Sequence, residues 1–462
     1  TEAVAQQMSR EVGKYLDDEK KILKKISDEI REESKTSIGK RLADMIESGT
    51  AFHNAGLNNF QRKKVERAFK DGYIKVISAT PTLAAGINMP ARRVIIRDCK
   101  RYDPMLGYNA PLPVLEVKQM AGRAGRPGYD NIGEAILVAK KERDARKFFD
   151  EYILGESEDI VSRMATEPAL RKHLLALIAT RHCATEEEIF GFMEETFYAQ
   201  KSDIWMIEDR VNKTLNLLED EGMIEKDMGL EPTRFGKRVS DVYIDPLSAV
   251  KVRDAVNRGK MGIPLSYLHT ICRTPDMYNF YINKSEMSKY LEKVEAVRAD
   301  LFEDVPQDEV ELEDYLSAFK TALMLQDWMN EESEDEISEK YNIGPGDIRN
   351  KVETAEWLLH AGTEIAKLYN VKKARKLRTI TERVKHGVLE ELMPLMELEQ
   401  IGRVRARTLF EAGYKTTEEV KEATQDELKE LHGIGDKLSA IAEGTGKEEI
   451  EEGSDQSSLS DF

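Results

Sequence analysis

Apolar runs typical of β-strands alternate with helical patterns in the first third of this chain and are scarce after it. One helix is predicted over Asn59–Lys70 and another over Leu112–Met120. Strands that alternate with helices favour a parallel α/β sheet, whose ligands gather at the carboxyl ends of the strands. We therefore predict an α/β domain over residues 1–155, with strands in the runs Tyr73–Ser78, Arg93–Arg97 and Glu134–Ala139.

The chain becomes mainly helical after about residue 155. Thr185–Glu188 has the pattern of a capping box at the start of an amphipathic helix, and Val211–Glu221 predicts a second helix. The short runs Met223–Lys226 and Arg234–Val239 follow, and they predict the two strands of a small wing. Two helices and a wing predict a winged-helix domain over residues 156–246.

Three further segments follow the wing. Residues 247–393 predict a helical domain, and residues 394–446 combine short helices with glycine turns. The last residues, 447–462, are acidic and rich in serine, a composition typical of disorder. The predicted fold class is therefore an α/β domain followed by mainly α domains.

Charge and cysteine content restrict the class of protein. The 462 residues carry a formal net charge of −17, which argues against a uniformly basic nucleic-acid coat but allows local basic grooves. One basic cluster, residues 372–385, has seven basic residues and one acid. No apolar run is long enough to span a membrane, and we expect a cytoplasmic protein. A zinc site or a disulfide framework is not expected from the widely spaced Cys99, Cys183 and Cys272.

The segment QMAGRAGRPG, residues 119–128, has the composition of a phosphate-binding loop. Arg123 and Arg126 are three residues apart, with glycines beside both. A guanidinium group carries several fixed donors and keeps its charge, so it suits phosphate oxygens. Glycine allows the backbone and a ligand to come close. The alternative is that both arginines form ion pairs at the surface.

This segment and an earlier one resemble two motifs of a known enzyme family. Residues 79–96, which begin ATPTLAAGINMPA, resemble motif V of superfamily 2 helicases of the Ski-type branch, and residues 119–128 resemble motif VI. FHNAGL, residues 52–57, is similar to a third element of that branch, with Asn54 in place of its second His. The chain as a whole most resembles the archaeal Hjm/HELQ-type DNA repair helicases.

The resemblance implies an order of domains. A second RecA-like motor lobe, a winged helix, a helical ratchet domain and a helix-hairpin-helix domain would occupy 1–155, 156–246, 247–393 and 394–446. ATP and Mg²⁺ would bind between this lobe and a first lobe with a glycine-rich phosphate loop. The pattern G-x-x-x-x-G-K-[ST] is absent from the sequence, and residue 1 is a Thr inside a helical pattern. We therefore expect a fragment without the first lobe and its Mg²⁺ ligands, inactive as an ATPase by itself.

The resemblance also implies roles for the motif residues. Arg123 and Arg126 would stabilise charge on the γ-phosphate as arginine fingers do, and Gln119 would orient the phosphate or the attacking water. The motif V residues expected at ligands are Gly86 and Asn88 for the nucleotide, and Thr80 and Thr82 for the nucleic-acid backbone.

The segment Arg97–Pro113 is too long for a tight connection between a strand and a helix, and such loops are usually functional. A β-hairpin is predicted there, which would place Tyr102 or Tyr108 against the last base pair of a duplex. Stacking on a base contributes roughly 1–3 kcal/mol, comparable to the cost of opening one step. Related helicases use such a hairpin as a wedge. The alternative is a hairpin that packs on its own domain.

A long helix is predicted over Asp347–Tyr369, with Asp347 as its N-cap. Trp357 points away from the apolar stripe of this helix, so we expect it to stack on a base or to pack on a neighbouring domain. The resemblance implies a pore-lining helix whose stacking Trp has a basic partner. Arg349 is the candidate partner, although Asn350 has the better angular register. The stripe consists of Ile348, Val352, Ala355, Leu359, Gly362 and Ala366.

Two glycine turns near the end of the chain, in Ile401–Phe410 and Leu431–Lys437, resemble helix-hairpin-helix turns. Such turns present backbone N–H groups and a helix N-terminus to a phosphate, and they bind the nucleic-acid backbone without reading bases. Arg403, Arg405 and Arg407 would add positive charge. The alternatives are turns that serve packing alone, or a polar contact to the motor lobes.

The final seven residues resemble a binding box for a sliding clamp (PCNA). Gln456, Leu459 and Phe462 have the spacing Q-x-x-L-x-x-F. One turn of helix would put Leu459 and Phe462 on one face, where both could enter an apolar pocket. The second aromatic residue that is usual in such boxes is absent, so a modest affinity is expected.

These expectations describe an ATP-dependent 3′–5′ DNA helicase that acts on forked or stalled replication structures in repair and recombination. Its partners would be single-stranded DNA, forked DNA and the sliding clamp, and it would work as a monomer with the nucleoid of an archaeal cell. Two alternatives stay open: an RNA helicase of the Ski branch, and a non-enzymatic DNA-binding adaptor for the clamp.

Overall fold

The structure, a computed structural model, divides into two compact units. It describes residues 1–431 and 434, except 17, 35, 82–88, 90, 104–107, 127–129, 202, 228, 399–400 and 430. The first unit comprises Thr1–Val161 and Asn342–Arg349, and the second comprises Ser162–Tyr341 and the described residues from 350 onward.

The first unit alternates helices and strands. Its helices are α1 (Glu2–Val12), α2 (Lys20–Glu33), α3 (Ser37–Glu47), α4 (Asn59–Lys70), α5 (Val114–Ala121) and α6 (Glu142–Phe148). Its strands are β1 (Thr50–His53), β2 (Val76–Ala79), β3 (Arg93–Ile96), β4 (Lys100–Asp103), β5 (Tyr108–Pro111) and β6 (Glu134–Leu137). The predicted α/β character of this part of the chain is confirmed.

Two parallel strand pairs form the centre of the first unit. Thr50 of β1 is opposite Val76 of β2, and Arg93 of β3 is opposite Glu134 of β6. Strand β1 was not predicted from the sequence, because its four residues are all buried and show no alternation of apolar and polar side chains. Strand β2 starts later than predicted, because the Tyr73 N–H donates to the Ala68 carbonyl (2.9 Å) and so belongs to the end of α4.

Separate apolar clusters hold the two halves of this unit. One cluster lies among α1 to α4 and the first strand pair, with Leu42, Ile46 and Phe52 fully buried. The second lies under the connection from β3 to α5 and includes Ile96, Cys99, Leu112, Val114, Val117 and Tyr152. This second cluster supports both the hairpin and the helix that leads into the arginine segment.

The second unit is mainly helical, as predicted. Its first helices are α7 (Glu167–Ala179), α8 (Glu186–Glu194), α9 (Phe197–Lys201) and α10 (Ile204–Asp220), followed by strands β7 (Ile224–Glu225) and β8 (Glu231–Pro232) and by α11 (Arg234–Val242). The next helices are α12 (Pro246–Asn257), α13 (Pro264–Cys272), α14 (Lys284–Val297), α15 (Glu309–Met329), α16 (Glu334–Tyr341) and α18 (Val371–His386). Helix α17 (Pro345–Tyr369) comes between α16 and α18, and its residues up to Arg349 belong to the first unit and those from Asn350 to the second. After a 3-10 segment (Glu390–Glu397) come α19 (Arg403–Glu411), α20 (Thr417–Glu422) and α21 (Gln425–Lys429).

The predicted wing is only partly right. Ile224–Glu225 pairs with Glu231–Pro232 as an antiparallel ribbon, so the first predicted strand lies in it. The second predicted strand, Arg234–Val239, is wrong, because these residues form helix α11. Thr233 starts this helix, since its hydroxyl accepts the Gly236 N–H (3.0 Å) as an N-cap.

The long helix α17 begins two residues before the predicted start. Asp347 is not its N-cap but lies in the first turn, where the carboxylate accepts the Gly344 N–H (3.0 Å). All members of the predicted apolar stripe are buried, which confirms the face that turns to the core: Ile348, Val352, Ala355, Leu359, Gly362 and Ala366.

Two further findings concern the whole described range. The three cysteines, Cys99, Cys183 and Cys272, are buried and free. Among the helices that the structure describes, none is long and apolar enough to cross a membrane.

Candidate nucleotide and nucleic-acid site

The arginine segment lies directly against the end of the motif V segment. The Ala91 N–H donates to the Arg123 carbonyl (2.9 Å), and the Gly125 N–H donates to the Ala91 carbonyl (2.7 Å). Ala91 and Ala124 thus form an isolated parallel bridge. The fold therefore brings together two segments that are far apart in the sequence. The residues Thr82, Gly86 and Asn88 lie outside the described part of the chain.

Glycine is required where this bridge meets strand β6. Gly125 has a φ of +94°, a backbone conformation that residues with a side chain rarely adopt. A Cβ on Gly133 would lie 2.5 Å from the Ala124 carbonyl oxygen and from the Gly125 nitrogen. The start of β6 and the arginine segment can therefore come this close to each other only because Gly125 and Gly133 have no side chain.

Arg126 is held by Asp130, which the sequence analysis did not single out. The Arg126 Nε donates to Asp130 Oδ2 (2.8 Å), and Nη2 donates to Oδ1 (2.9 Å). The Arg126 backbone N–H also donates to Oδ2 (3.0 Å), and the hydrogen bonds from Arg126 lower the pKa of Asp130. A fork that grips a planar carboxylate with two donors has the geometry to grip two phosphate oxygens. The sequence pattern that could have predicted this pair is an aspartate four residues after an arginine.

Two other predicted motif residues, Gln119 and Thr80, lie near the ends of a helix and a strand. Gln119 is exposed on α5, and Arg123 follows that helix after Gly122. Thr80 comes directly after β2, and its N–H donates to the His53 carbonyl at the end of β1 (3.2 Å). Because β1 and β2 are parallel, Thr80 lies at their carboxyl ends, where α/β sheets bind ligands.

The predicted β-hairpin is confirmed. Strands β4 and β5 are antiparallel, with Tyr102 opposite Asn109 and Asp103 opposite Tyr108. The hairpin base is fixed, because Tyr152 donates its hydroxyl to the Leu112 carbonyl (3.0 Å) within the second apolar cluster. The tip, residues 104–107, and the side chains of Tyr102 and Tyr108 lie outside what the structure describes.

Trp357 both packs on neighbouring residues and stays partly open. Its indole N–H donates to the Val242 carbonyl at the end of α11 (3.3 Å), and 37% of the residue is exposed. The ammonium group of Lys172 lies at this ring, with Nζ 5.8 Å from the ring centroid. Lys172 comes from α7, and no local pattern links it to α17. The role of Arg349 as the basic partner of Trp357 stays a prediction, and so does a nucleic-acid contact of Arg349.

Arg403 and Arg407 of the first glycine turn are engaged inside the second unit. Arg407 pairs with Glu331 (2.7 Å) and with Glu391 (2.7 Å). The Arg403 guanidinium lies 4.1 Å from the Trp328 ring centroid and donates to the Glu332 carbonyl (3.2 Å).

These contacts engage Arg403 and Arg407 with groups of the same chain, and a DNA contact of either residue stays a prediction. Arg403 and Arg407 connect helix α19 to the acidic stretch that follows α15. The charge of Arg407 is already balanced by two carboxylates, so it is poorly placed as a simple phosphate ligand. Arg405 is half-buried on the same helix and stays the predicted backbone-binding residue. Of the second turn, Leu431–Lys437, only Leu431 and Ile434 are described.

Four family models match successive parts of the chain. They are described as the helicase conserved C-terminal domain (residues 27–128), a helix-turn-helix domain (133–225), archaeal helicase domain 4 (265–387) and a SAM-like helix-hairpin-helix tandem (392–440).

Curated relatives match along nearly the whole chain. It is 41% identical over 449 residues to the ATP-dependent DNA helicase Hel308 of Methanocella arvoryzae, with 95% of this chain and 60% of the relative covered. It is 42% identical over 454 residues to the ATP-dependent DNA helicase Hel308 of Pyrococcus horikoshii, with 97% of this chain and 62% of the relative covered. The chain thus spans about three fifths of the length of these relatives.

We predict that Gly133→Ala loosens the bridge between the two motif segments. The new methyl group would meet backbone atoms at 2.5 Å, and backbone shifts of this kind cost typically about 1–3 kcal/mol. Hydrogen exchange of the Ala91 and Gly125 amides, measured by mass spectrometry of the peptides that contain them, should become faster. Gly191→Ala in helix α8 is the control, because a Cβ there meets nothing within 4 Å. Unchanged protection in Gly133→Ala would contradict the close approach.

Proposed function

The chain belongs to the Hel308-type family of archaeal helicases, and from that premise we propose that it carries the second motor lobe and the accessory domains of an ATP-dependent 3′–5′ DNA helicase. We propose that the helicase acts on forked or stalled replication structures. The observation that carries the proposal is the bridge between Ala91 and Ala124, which holds the arginine segment against the end of motif V. The motif V segment and the arginine segment have to lie side by side if both are to contact the same bound nucleotide.

In the proposed nucleotide site, Arg126 exchanges one anion for another. The guanidinium that grips Asp130 would release this carboxylate and grip the γ-phosphate of ATP. Hydrolysis of the bound ATP supplies the free energy for movement along DNA. Arg123 would add a second positive charge, and Gln119 would orient the phosphate or the water. Gly86 and Asn88, outside the described residues, would approach the nucleotide.

The Mg²⁺ ligands are proposed to come from a first motor lobe. Among the described residues, no group of three His, Cys, Asp or Glu side chains could hold a metal ion. This chain would contribute the cations that neutralise charge on the phosphates, and the other lobe would contribute the metal.

The DNA path is proposed to run along the loop after β2, helices α17 and α19, and the β4–β5 hairpin. Thr80 and Thr82 would contact the strand backbone, Trp357 would stack on a base, and Arg349 and Arg405 would contact phosphates. The antiparallel hairpin would split the duplex, with Tyr102 or Tyr108 against the last base pair. A hairpin whose base is fixed in an apolar cluster can act as a wedge, because it does not yield to the duplex.

We predict that this chain binds single-stranded and forked DNA more tightly than matched RNA. Trp357→Ala should raise the Kd for single-stranded DNA about fivefold or more, because stacking contributes roughly 1–3 kcal/mol per base. Fluorescence anisotropy across a salt series measures this, since salt separates phosphate contacts from stacking. Trp205→Ala is the matched control, because Trp205 is also exposed but lies on α10. RNA binding that is equal or tighter would favour the RNA helicase.

We predict that Arg126→Ala lowers DNA-stimulated ATP turnover by about 10³-fold or more in protein that contains both motor lobes. The reason is that the variant lacks the positive charge that would stabilise the γ-phosphate. DNA affinity should stay near normal, because Arg126 is proposed to contact ATP and not DNA. Phosphate release is measured beside Arg143→Ala, an exposed arginine on α6 of the same unit. Turnover that stays near normal in Arg126→Ala would refute the role of Arg126 at the γ-phosphate. Repair activity that stays intact although this variant has lost its ATP turnover would favour the non-enzymatic clamp adaptor.

We also propose that the C-terminal residues bind a sliding clamp through Gln456, Leu459 and Phe462, which lie outside the described residues. Deletion of residues 456–462 should abolish binding of the archaeal clamp in titration calorimetry, because both apolar anchors are lost. Ser460→Ala, inside the same box, should bind normally. Clamp binding that survives the deletion would refute the assignment.

A further inference from the structure

A second exposed aromatic side chain lies beside Trp357. Tyr243 immediately follows helix α11, and 59% of it is exposed. Its backbone is left-handed, with φ 56° and ψ 36°. Helices often end in this conformation, but usually with a glycine, because a Cβ is strained there. A bulky aromatic residue kept in a strained, exposed position is a mark of a functional site.

One cation connects Tyr243 to Trp357. The Lys172 Nζ lies 5.9 Å from the Tyr243 ring centroid and 5.8 Å from the Trp357 ring centroid. Both rings therefore flank the same ammonium group and belong to one patch, which we call the two-ring patch (Tyr243, Lys172 and Trp357). Attraction between a cation and the face of a ring holds each ring to Lys172.

The cation of this patch is already neutralised. Lys172 Nζ donates to Asp276 Oδ1 at 2.6 Å, and the Asp276 side chain is almost fully buried. A lysine balanced by a buried carboxylate is a poor ligand for phosphate but a good support for two rings. The patch thus offers aromatic surface more than charge, which suits a nucleobase rather than a phosphate group.

The corner that carries Tyr243 is rigid. Asp276 Oδ2 accepts the Asp245 N–H (2.7 Å) and the Ser248 hydroxyl (2.7 Å). Asp245 also caps helix α12 and pairs with Arg171 in a buried ion pair (3.0 Å). Ile244, between the two fixed positions, is buried. Tyr243 is therefore the one side chain of the corner Tyr243–Asp245 that points outward.

Trp357 is fixed to the same corner. Its indole N–H donates to the carbonyl of Val242, the residue directly before Tyr243. Two rings that are oriented in advance lose little conformational entropy when a ligand arrives, so binding is stronger than with mobile side chains.

We propose that Tyr243 is a second base-stacking residue, which forms with Trp357 a two-ring platform for consecutive bases of a single-stranded nucleic acid. This inference rests on the proposed function and deepens it, because it adds a residue outside helix α17 to the strand path. Lys172 is a positioning residue that holds the two rings. The platform binds any base, since every base has a flat face.

The test is fluorescence anisotropy of a labelled oligothymidylate with this chain and its variants. Tyr243→Ala is expected to raise Kd about fivefold or more, and Tyr243→Phe to stay within about twofold, because the ring and not the hydroxyl stacks. Tyr281→Ala is the matched control, since Tyr281 is also 59% exposed and lies outside the patch. It is expected to bind normally.

Tyr243→Gly separates function from folding. Glycine relieves the left-handed strain, so the thermal midpoint Tm should stay the same or rise while the affinity falls. Tyr243→Gly or Tyr243→Ala with normal affinity would overturn the inference. An equal loss in Tyr243→Phe would also overturn it, because the hydroxyl would then be the contact.

Trp357→Ala distinguishes the two-ring platform from the proposed strand path along α17. If Trp357→Ala weakens binding and Tyr243→Ala does not, the two-ring platform is wrong and the proposed strand path stands. If neither variant weakens binding, the strand path along α17 fails together with the platform. If both weaken binding, the platform is supported.

Discussion

The buried ion pair between Arg171 and Asp245 is the interaction on which the second unit most depends. Both side chains are removed from water, and a carboxylate left alone there would cost several kcal/mol. The pair is stable because the remaining oxygen and backbone groups of Asp245 are also hydrogen-bonded. It fixes the corner between α11 and α12, and through that corner it fixes the position of Trp357 and Tyr243.

Candidate cations in this protein are already bound to carboxylates of the same chain. Arg126 grips Asp130, Lys172 donates to Asp276, and Arg407 pairs with Glu331. A chain with a net charge of −17 can still bind a polyanion if its carboxylates give up such cations on contact. For Arg126 the exchange would replace one planar anion by another. For Lys172 the deeply buried Asp276 makes the pair a support for aromatic rings.

The first unit shows why glycine and backbone contacts matter as much as charged side chains. The arginine segment is held in place by two backbone hydrogen bonds to Ala91. A side chain at Gly133 would clash with the backbone of Ala124 and Gly125 and push the arginine segment away. Arg126 can aim its donors only if this backbone keeps its position. The charged residues are therefore recognisable in the sequence, whereas the support that makes them useful is a property of the fold.

The sequence by itself determined the α/β order of the first unit, the hairpin, the helical character of the second unit and the buried stripe of α17. Periodicity, turn residues and caps act over a few positions, so they can be read locally. It did not determine strand β1 or helix α11, whose short patterns suit both states. Only the tertiary structure decided that Lys172 lies against the Trp357 ring and that Tyr243 lies beside them. It also decided that Lys172 donates to Asp276, which is 104 positions further along the chain. Such contacts join segments that are distant in the chain, and no local pattern encodes them.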